Sequence, residues 1–275
     1  MIRPQSALLT LYGDYARRPN GEIGIGGLVK LLGNFGLSEQ AVRSAVARMC
    51  RAKMLKVRRH GKKSYYSLTK EGRNLLTKGG QRIFLKKNGR WDGIWIIVTY
   101  SIPEHRRKAR DKLRVGLRWL GYGPLREATW ISPYDTTKEL ENLVEGLRIK
   151  KYFQVFQSKH LGFADPKEIV SKCWDLKKTH EKYAGFVAMC RSKLREHRRR
   201  LKTGKPLDPN EYFVERFNLI HEYRKLPFFD PDLPNELLPK KWLRSEAVAL
   251  FHQCIDQVSD KAKEYFDSVI KEYGD

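Results

Sequence analysis

The chain has 275 residues, 41% of them hydrophobic, which is enough to bury more than one core and makes two or three domains the expectation. Its 55 Lys and Arg against 31 Asp and Glu give a net charge of +24, a balance that points to polyanions as partners. No apolar run has the length of a bilayer span, MIRPQSALLTLYGDYA lacks the plan of a secretory signal, and Cys50, Cys173, Cys190 and Cys254 show no paired spacing; membrane spans, zinc knuckles and disulfide frameworks are excluded, and a cytoplasmic protein with reduced, mostly buried thiols is expected.

In chain order, Gln5 to Tyr15 reads as a first helix, with Ala7, Leu8, Leu11, Tyr12 and Tyr15 as its core stripe. Arg17, Arg18, Pro19, Asn20 and Gly21 break it. A second helix, about Gly26 to Asn34, carries Leu28, Val29, Leu31 and Leu32, and Gly33 to Gly36 form the turn that follows. Gly21, Gly24, Gly26 and Gly27 precede a helix, yet no strand is expected to lead into them, so they are not read as a nucleotide loop. Ser38 then N-caps a third helix to Arg51, with Glu39 suited to the positive end of its dipole. Val42, Ala45, Val46 and Met49 make its apolar face. Gln40, Ser44, Ala47 and Arg51 fall opposite, flanked by Arg43 and Arg48. A helix entering a major groove needs amides and guanidiniums in that arrangement, to reach base edges and phosphates. An amphipathic helix with a solvated basic side has the same pattern, and the neighbouring segments decide between them.

Leu55 to Leu68 reads as a basic hairpin around the tip Arg59, His60, Gly61, Lys62, Lys63, and Thr69 caps a further helix through Leu75, Leu76, Ile83 and Leu85. Helix, helix, helix, hairpin, helix is the order of a winged helix. Residues 1–90 hold 20 Lys and Arg against 4 Asp and Glu, so +16 of the +24 sits in this head. Candidate DNA contacts are Ser38, Gln40, Arg43, Ser44, Arg48 and Arg51 from the helix, with Arg58, Arg59, Lys62, Lys63 and Tyr65 from the wing.

Asn88, Gly89 and Arg90 read as a linker. A buried strand, Ile94 to Tyr100, a basic helix, Glu104 to Leu120, a turn at Gly121, Gly123 and Pro124, a strand, Ala128 to Ser132, a helix, Lys138 to Leu147, and a strand, Tyr152 to Gln157, suggest a ferredoxin-like α+β sandwich. From Pro166 nearly everything is helical. One helix is expected from Glu168 to about Arg200, a second to Tyr223 opened by the capping box Asp208, Pro209, Asn210, Glu211, and a last from about Ser245 to Tyr273 after the Pro-rich bend from Pro227 to Pro239. The expected fold class is thus α+β multidomain: an N-terminal winged helix over 1–87, a central ferredoxin-like domain over 91–163 and an all-helical C-terminal domain over 164–275.

Three stretches resemble one family, the phenylacetate-catabolism repressors or PaaX-like regulators: LYGDYARR with GGLVKLLGNFGLSEQAVRSAVARM and GKKSYYSLTKEGR, then WDGIWIIVTYSIPEHRRKARDKLRVGLRWLGYGPLREATWISP, then FNLIHEYRKLPFFDPDLPNELLPKKW. The resemblance implies a winged helix, a middle domain similar to the small nuclease subunit of CRISPR adaptation complexes, and a helical C-terminal domain. It also implies a dimeric repressor of a double-stranded operator, released by an aryl-CoA thioester such as phenylacetyl-CoA. Effector-independent regulation of a CRISPR or mobile-element locus is an alternative. Where the nuclease relatives have an acidic metal ligand this chain has Ser101, a poor ligand for a hard divalent ion, so metal-dependent cleavage is a lesser alternative and no enzymatic activity, cofactor or metal is expected. A CoA site needs cations near aromatic faces, and the candidates are Arg106, Arg114, Arg118 and Trp119 on one helix and Arg216, His221, Tyr223 and Arg224 on another. The alternative for His221 to Arg224 is a polar network that pins the Pro-rich bend. The cluster Arg195 to Arg200 reads as a solvated helix end, with contact to DNA phosphates as the alternative.

Overall fold

The computed structural model describes residues 2–16, 21–84, 90–163 and 165–274. The expected break at Arg17 to Asn20, the Asn88-Gly89 linker and Leu85 lie outside the described residues. Contacts gather the chain into two compact units, one of residues 1–85, 184–225 and 244–275 and the other of residues 86–183 and 226–243. No described helix is long and apolar enough to cross a membrane.

In the first unit, α1 (Pro4–Asp14) opens on a proline, whose missing N–H costs nothing in a first turn. A two-residue strand β1 (Ile23–Gly24) leads directly into α2 (Ile25–Gly33), and α3 (Glu39–Arg51) follows. The hairpin β2 (Leu55–His60) and β3 (Lys63–Leu68) comes next, and β1 pairs antiparallel with β3 to make a three-stranded sheet in the order β1-β3-β2. The helix α4 (Lys70–Phe84) runs through Gly79 and Gly80 without a break, with Thr69 accepting from Gly72 N–H at 3.0 Å. The long helix α8 (Leu176–Lys202) contributes its part from Ala184, α9 (Pro209–Tyr223) starts on the expected capping box of Asp208 and Glu211, and α10 (Arg244–Gly274) is the last element. One core joins head and tail: Leu8, Leu11, Tyr12, Leu28, Leu31, Val42, Val46 and Met49 pack with Phe213 and Phe217 of α9 and Ala262, Phe266 and Val269 of α10. Full burial of each phenylalanine contributes about 2 to 3 kcal/mol.

In the second unit, β4 (Ile94–Tyr100), α5 (Arg107–Trp119), β5 (Gly123–Arg126), β6 (Thr129–Ser132), α6 (Thr137–Gly146) and β7 (Phe153–Lys159) form an antiparallel sheet in the order β5-β6-β4-β7. This β-α-β-β-α-β arrangement is the ferredoxin-like plan. Alternation on β4 serves both faces: Ile96, Val98 and Tyr100 meet Leu113, Leu117, Leu140 and Val144 of α5 and α6, while Trp95 and Ile97 meet Val170 and Cys173 of α7 (Pro166–Cys173) and Leu233, Leu237 and Leu238 of the Pro-rich segment.

Three expectations need correction. A strand does lead into the glycine-rich stretch before α2: the short β1, paired with β3. The Gly121, Gly123, Pro124 turn is in part the strand β5; an edge strand tolerates proline because one row of its N–H groups has no ladder partner, and a bulge between Pro124 and Arg126 marks the irregularity. The single helix from Glu168 to Arg200 is two, since Trp174 is extended and Asp175 starts α8 by accepting from Lys178 N–H at 2.9 Å.

Candidate nucleic-acid interface

Ser38 caps α3 by accepting from Ala41 N–H at 3.2 Å, and Val42, Ala45, Val46 and Met49 are buried in the head core. That fixes the rotation of the helix. Gln40, Arg43, Ser44, Ala47, Arg48 and Arg51 are therefore exposed together, as the sequence spacing requires. Arg43 is drawn along the helix by an ion pair with Glu39 at 2.7 Å.

The link from α3 to the wing is a tight reversal in which Lys53 N–H donates to Cys50 O and Met54 N–H donates to Met49 O, both at 2.9 Å. Lys53 takes a φ of 55° to make it, a conformation usually given to glycine. Thr69 closes the base of the hairpin by donating to the Lys53 carbonyl at 2.6 Å. Strand register runs from Leu55 opposite Leu68 to His60 opposite Lys63. The tip is Gly61-Lys62, and Gly61, with φ 57°, supplies the left-handed residue that two-residue turns of this hand demand.

Every residue from Lys56 to Lys63 is exposed, and the exposed Arg48, Arg51, Arg59, Lys62 and Lys63 form no ion pair with any described residue. Two wing candidates are differently placed. Arg58 pairs with Glu22 at 2.7 Å and lies 5.1 Å over the Tyr65 ring, and the Tyr65 hydroxyl donates to the Gly274 carbonyl at 2.5 Å. Lys56, which the sequence reading does not single out, shares one face of the hairpin with Arg58 and His60; the period-two alternation along β2 was the signal for it.

The eight residues considered for an effector divide between the units. In the second, Arg106 donates to the Arg148 carbonyl at 2.7 Å, Arg114 to the Tyr100 hydroxyl at 3.5 Å, Arg118 lies 5.4 Å over the Trp130 ring, and the exposed Trp119 meets Phe228 at 5.4 Å between centroids. In the first unit, Arg216 forks onto Asp14 at 2.7 and 2.9 Å, and Arg224 donates to the Ser6 carbonyl at 3.0 Å. His221 Nδ1 lies 2.8 Å from Thr10 Oγ1, and the buried Tyr223 stacks on Phe251 at 3.9 Å. Burial and the adjacent Arg224 and Lys225 push the His221 pKa down to about 4, so its ring is neutral at neutral pH. Arg216, His221 and Arg224 of α9 thus hold α1. At the end of α8, Arg199 and Arg200 pair with Glu196, and Arg200 also reaches Glu211.

The family model described as PaaX-like protein matches residues 3–72, that of the PaaX protein central Cas2-like domain matches 88–170, and that of the PaaX-like protein C-terminal domain matches 174–268. The chain is 29% identical over 260 residues to the transcriptional repressor PaaX of Escherichia coli (strain K12), covering 94% of this chain and 81% of that protein. Its fold is like that of a solved structure, the uncharacterized protein Rv0674 from Mycobacterium tuberculosis, with a TM-score of 0.63 at 19% identity over 96% of this chain and 98% of the other. Matched in order by models for all three of its parts, the chain belongs to the PaaX-like family.

Proposed function

We propose that the chain is a DNA-binding transcriptional repressor acting in phenylacetate catabolism, not an enzyme, with α3 as its major-groove reader and the β2–β3 hairpin as a wing on the backbone. The observation that carries this reading is the set of exposed cations, Arg48, Arg51, Arg59, Lys62 and Lys63, on adjacent elements without carboxylate partners among the described residues. In the chain's likeness to a repressor from Escherichia coli the reading has independent support. Phosphate-directed cations give affinity, while Gln40 and Ser44 on the exposed side of α3 are of the types that read base edges.

The finer parts of the proposal are a homodimer on a palindromic operator, since half-sites mirror a two-fold protein, and release by an aryl-CoA thioester. A cation-and-aromatic surface on α5, with Arg118, Trp119 and Phe228, supports the effector reading. Arg216, His221 and Arg224 have structural partners in α1 and are assigned to holding it.

The test is an operator selected from a random duplex pool with the full chain. Gln40→Ala or Ser44→Ala lowers affinity for that operator by about 1 to 3 kcal/mol while leaving non-specific binding unchanged. Lys62→Ala with Lys63→Ala weakens all duplexes alike and lowers the salt slope by about one unit per lost phosphate contact. Equal losses on specific and non-specific DNA in the α3 variants would sink the assignment of the helix.

A further inference from the structure

The glycines at 24, 26 and 27 have a structural use. A Cβ on Gly26 would stand 2.6 Å from Cδ1 of Tyr273, one on Gly24 3.1 Å from the Tyr273 carbonyl, and one on Gly27 3.7 Å from Ile270 Cδ1. They form a cradle for the last turn of α10, which packs against β1 and α2. From there contacts run into the wing. Gly24 pairs with Tyr65 across β1 and β3, the Tyr65 hydroxyl donates to the Gly274 carbonyl, Arg58 lies over the Tyr65 ring, and Glu22 holds Arg58.

We propose that the last turn of α10 is a clamp that sets the position of the wing, with Tyr65 and Tyr273 as positioning residues for nucleic-acid binding; the proposal rests on the DNA-binding reading above. Three observations carry it together. An isolated two-stranded hairpin is marginally stable, and here every residue from Lys56 to Lys63 is exposed, so the pose of the outer wing depends on what grips its base. The final carbonyls of a helix have no partner within it, and Tyr65 supplies one at the negative end of the α10 dipole, on the side where Arg58 stands. The glycine cradle removes the side chains that would hold that turn away. Tyr65 thereby moves from a candidate DNA contact to a residue that acts through the hairpin. Because α10 also packs on α9 and shares the head core, a shift of that helix has a direct route to the wing.

The experiment uses the full chain and two readouts, amide hydrogen exchange over residues 56–66 and affinity for the selected operator. Tyr65→Phe, which removes only the hydroxyl, and Tyr273→Ala, which is remote from the hairpin tip, each speed wing exchange and weaken operator binding by about threefold to tenfold, the worth of one hydrogen bond. Base preferences at positions read by α3 stay as in the parent chain. A loss confined to Tyr65→Phe, with wing exchange unchanged in both variants, would mean that the hydroxyl touches DNA directly and would overturn the clamp. Normal affinity and exchange in both variants, while Lys62→Ala with Lys63→Ala weakens binding, would also overturn it and leave the DNA reading intact. If the parent chain selects no duplex, the DNA reading fails, and hydrogen exchange alone still decides whether α10 holds the wing.

Discussion

Lys53 is a non-glycine residue in a conformation that costs an L side chain about 1 to 2 kcal/mol, because Cβ crowds the neighbouring carbonyl. It is tolerated because two backbone hydrogen bonds close the end of α3 around it and because the turn aims the wing. Lys53→Gly relieves that strain and restores chain entropy to the unfolded state, so the expected net gain is about 0.5 to 1 kcal/mol, read as a higher urea midpoint with an unchanged slope. The same reversal ends α5 at Gly121, with φ 91°, where glycine announces it, and α6 at Arg148, with φ 54°, where nothing does. Sequence reading finds a helix stop from glycine; a lysine or arginine in that role carries no mark. The candidate contacts show the same limit at this scale. Exposure of Gln40, Ser44 and Arg48 follows from helical spacing alone, whereas the pairing of Arg58 with Glu22 and of Tyr65 with Gly274 joins residues 36 and 209 positions apart, which periodicity does not encode.

At the scale of elements, α1 and α9 lie side by side with one polar rung per turn: Asp14 with Arg216, Thr10 with His221, Ser6 with Arg224. The Thr10 hydroxyl donates to the Ser6 carbonyl at 3.1 Å, leaving a lone pair to accept from His221 Nδ1, which fits the neutral ring. With a folded pKa of about 4 against 6.5, the unfolded chain takes up the proton first. The stabilisation is complete above pH 6.5 and is lost as pH falls through about 4; between pH 7 and pH 5 the loss is about 2 kcal/mol. Comparing urea unfolding of the parent chain and His221→Asn at those two pH values isolates it: the variant, whose amide can replace Nδ1, lacks this component of the pH dependence. Most helices and the β4, β6 and β7 strands were recoverable from apolar spacing and β-branching, since burial dictates both. The split at Trp174-Asp175 and the strand β5 were not, because one Asp cap in a polar run and one proline on a sheet edge read equally well as helix interior and as turn.

For the whole molecule, the effector reading requires a ligand whose affinity differs between DNA-competent and DNA-released states. Phenylacetyl-CoA is expected to raise the melting temperature and to release the selected operator, while free phenylacetate does neither. Trp119→Ala removes an exposed aromatic face beside Phe228 and should abolish the response with ligand-free operator affinity unchanged. A titration in which no CoA thioester shifts either signal would leave a repressor without this effector. Charge bias and the order of elements were enough to identify the basic head in the sequence. The sharing of its core with Phe213, Phe217 and Phe266 was not visible, because an apolar stripe on a distant helix does not name the surface it will meet.

That shared core has a consequence during synthesis. While a ribosome is still translating the middle of the message, residues 1–85 have left it, yet Tyr15 and Phe35 lack the rings of Phe213, Phe217 and Phe266 against which they pack, and the wing lacks Gly274. The nascent head is thus incomplete until α10 emerges. On the DNA-binding reading proposed above, a polypeptide cut short anywhere before α10 would carry the basic head without the Ala262, Phe266 and Val269 part of its core, and would compete poorly for an operator.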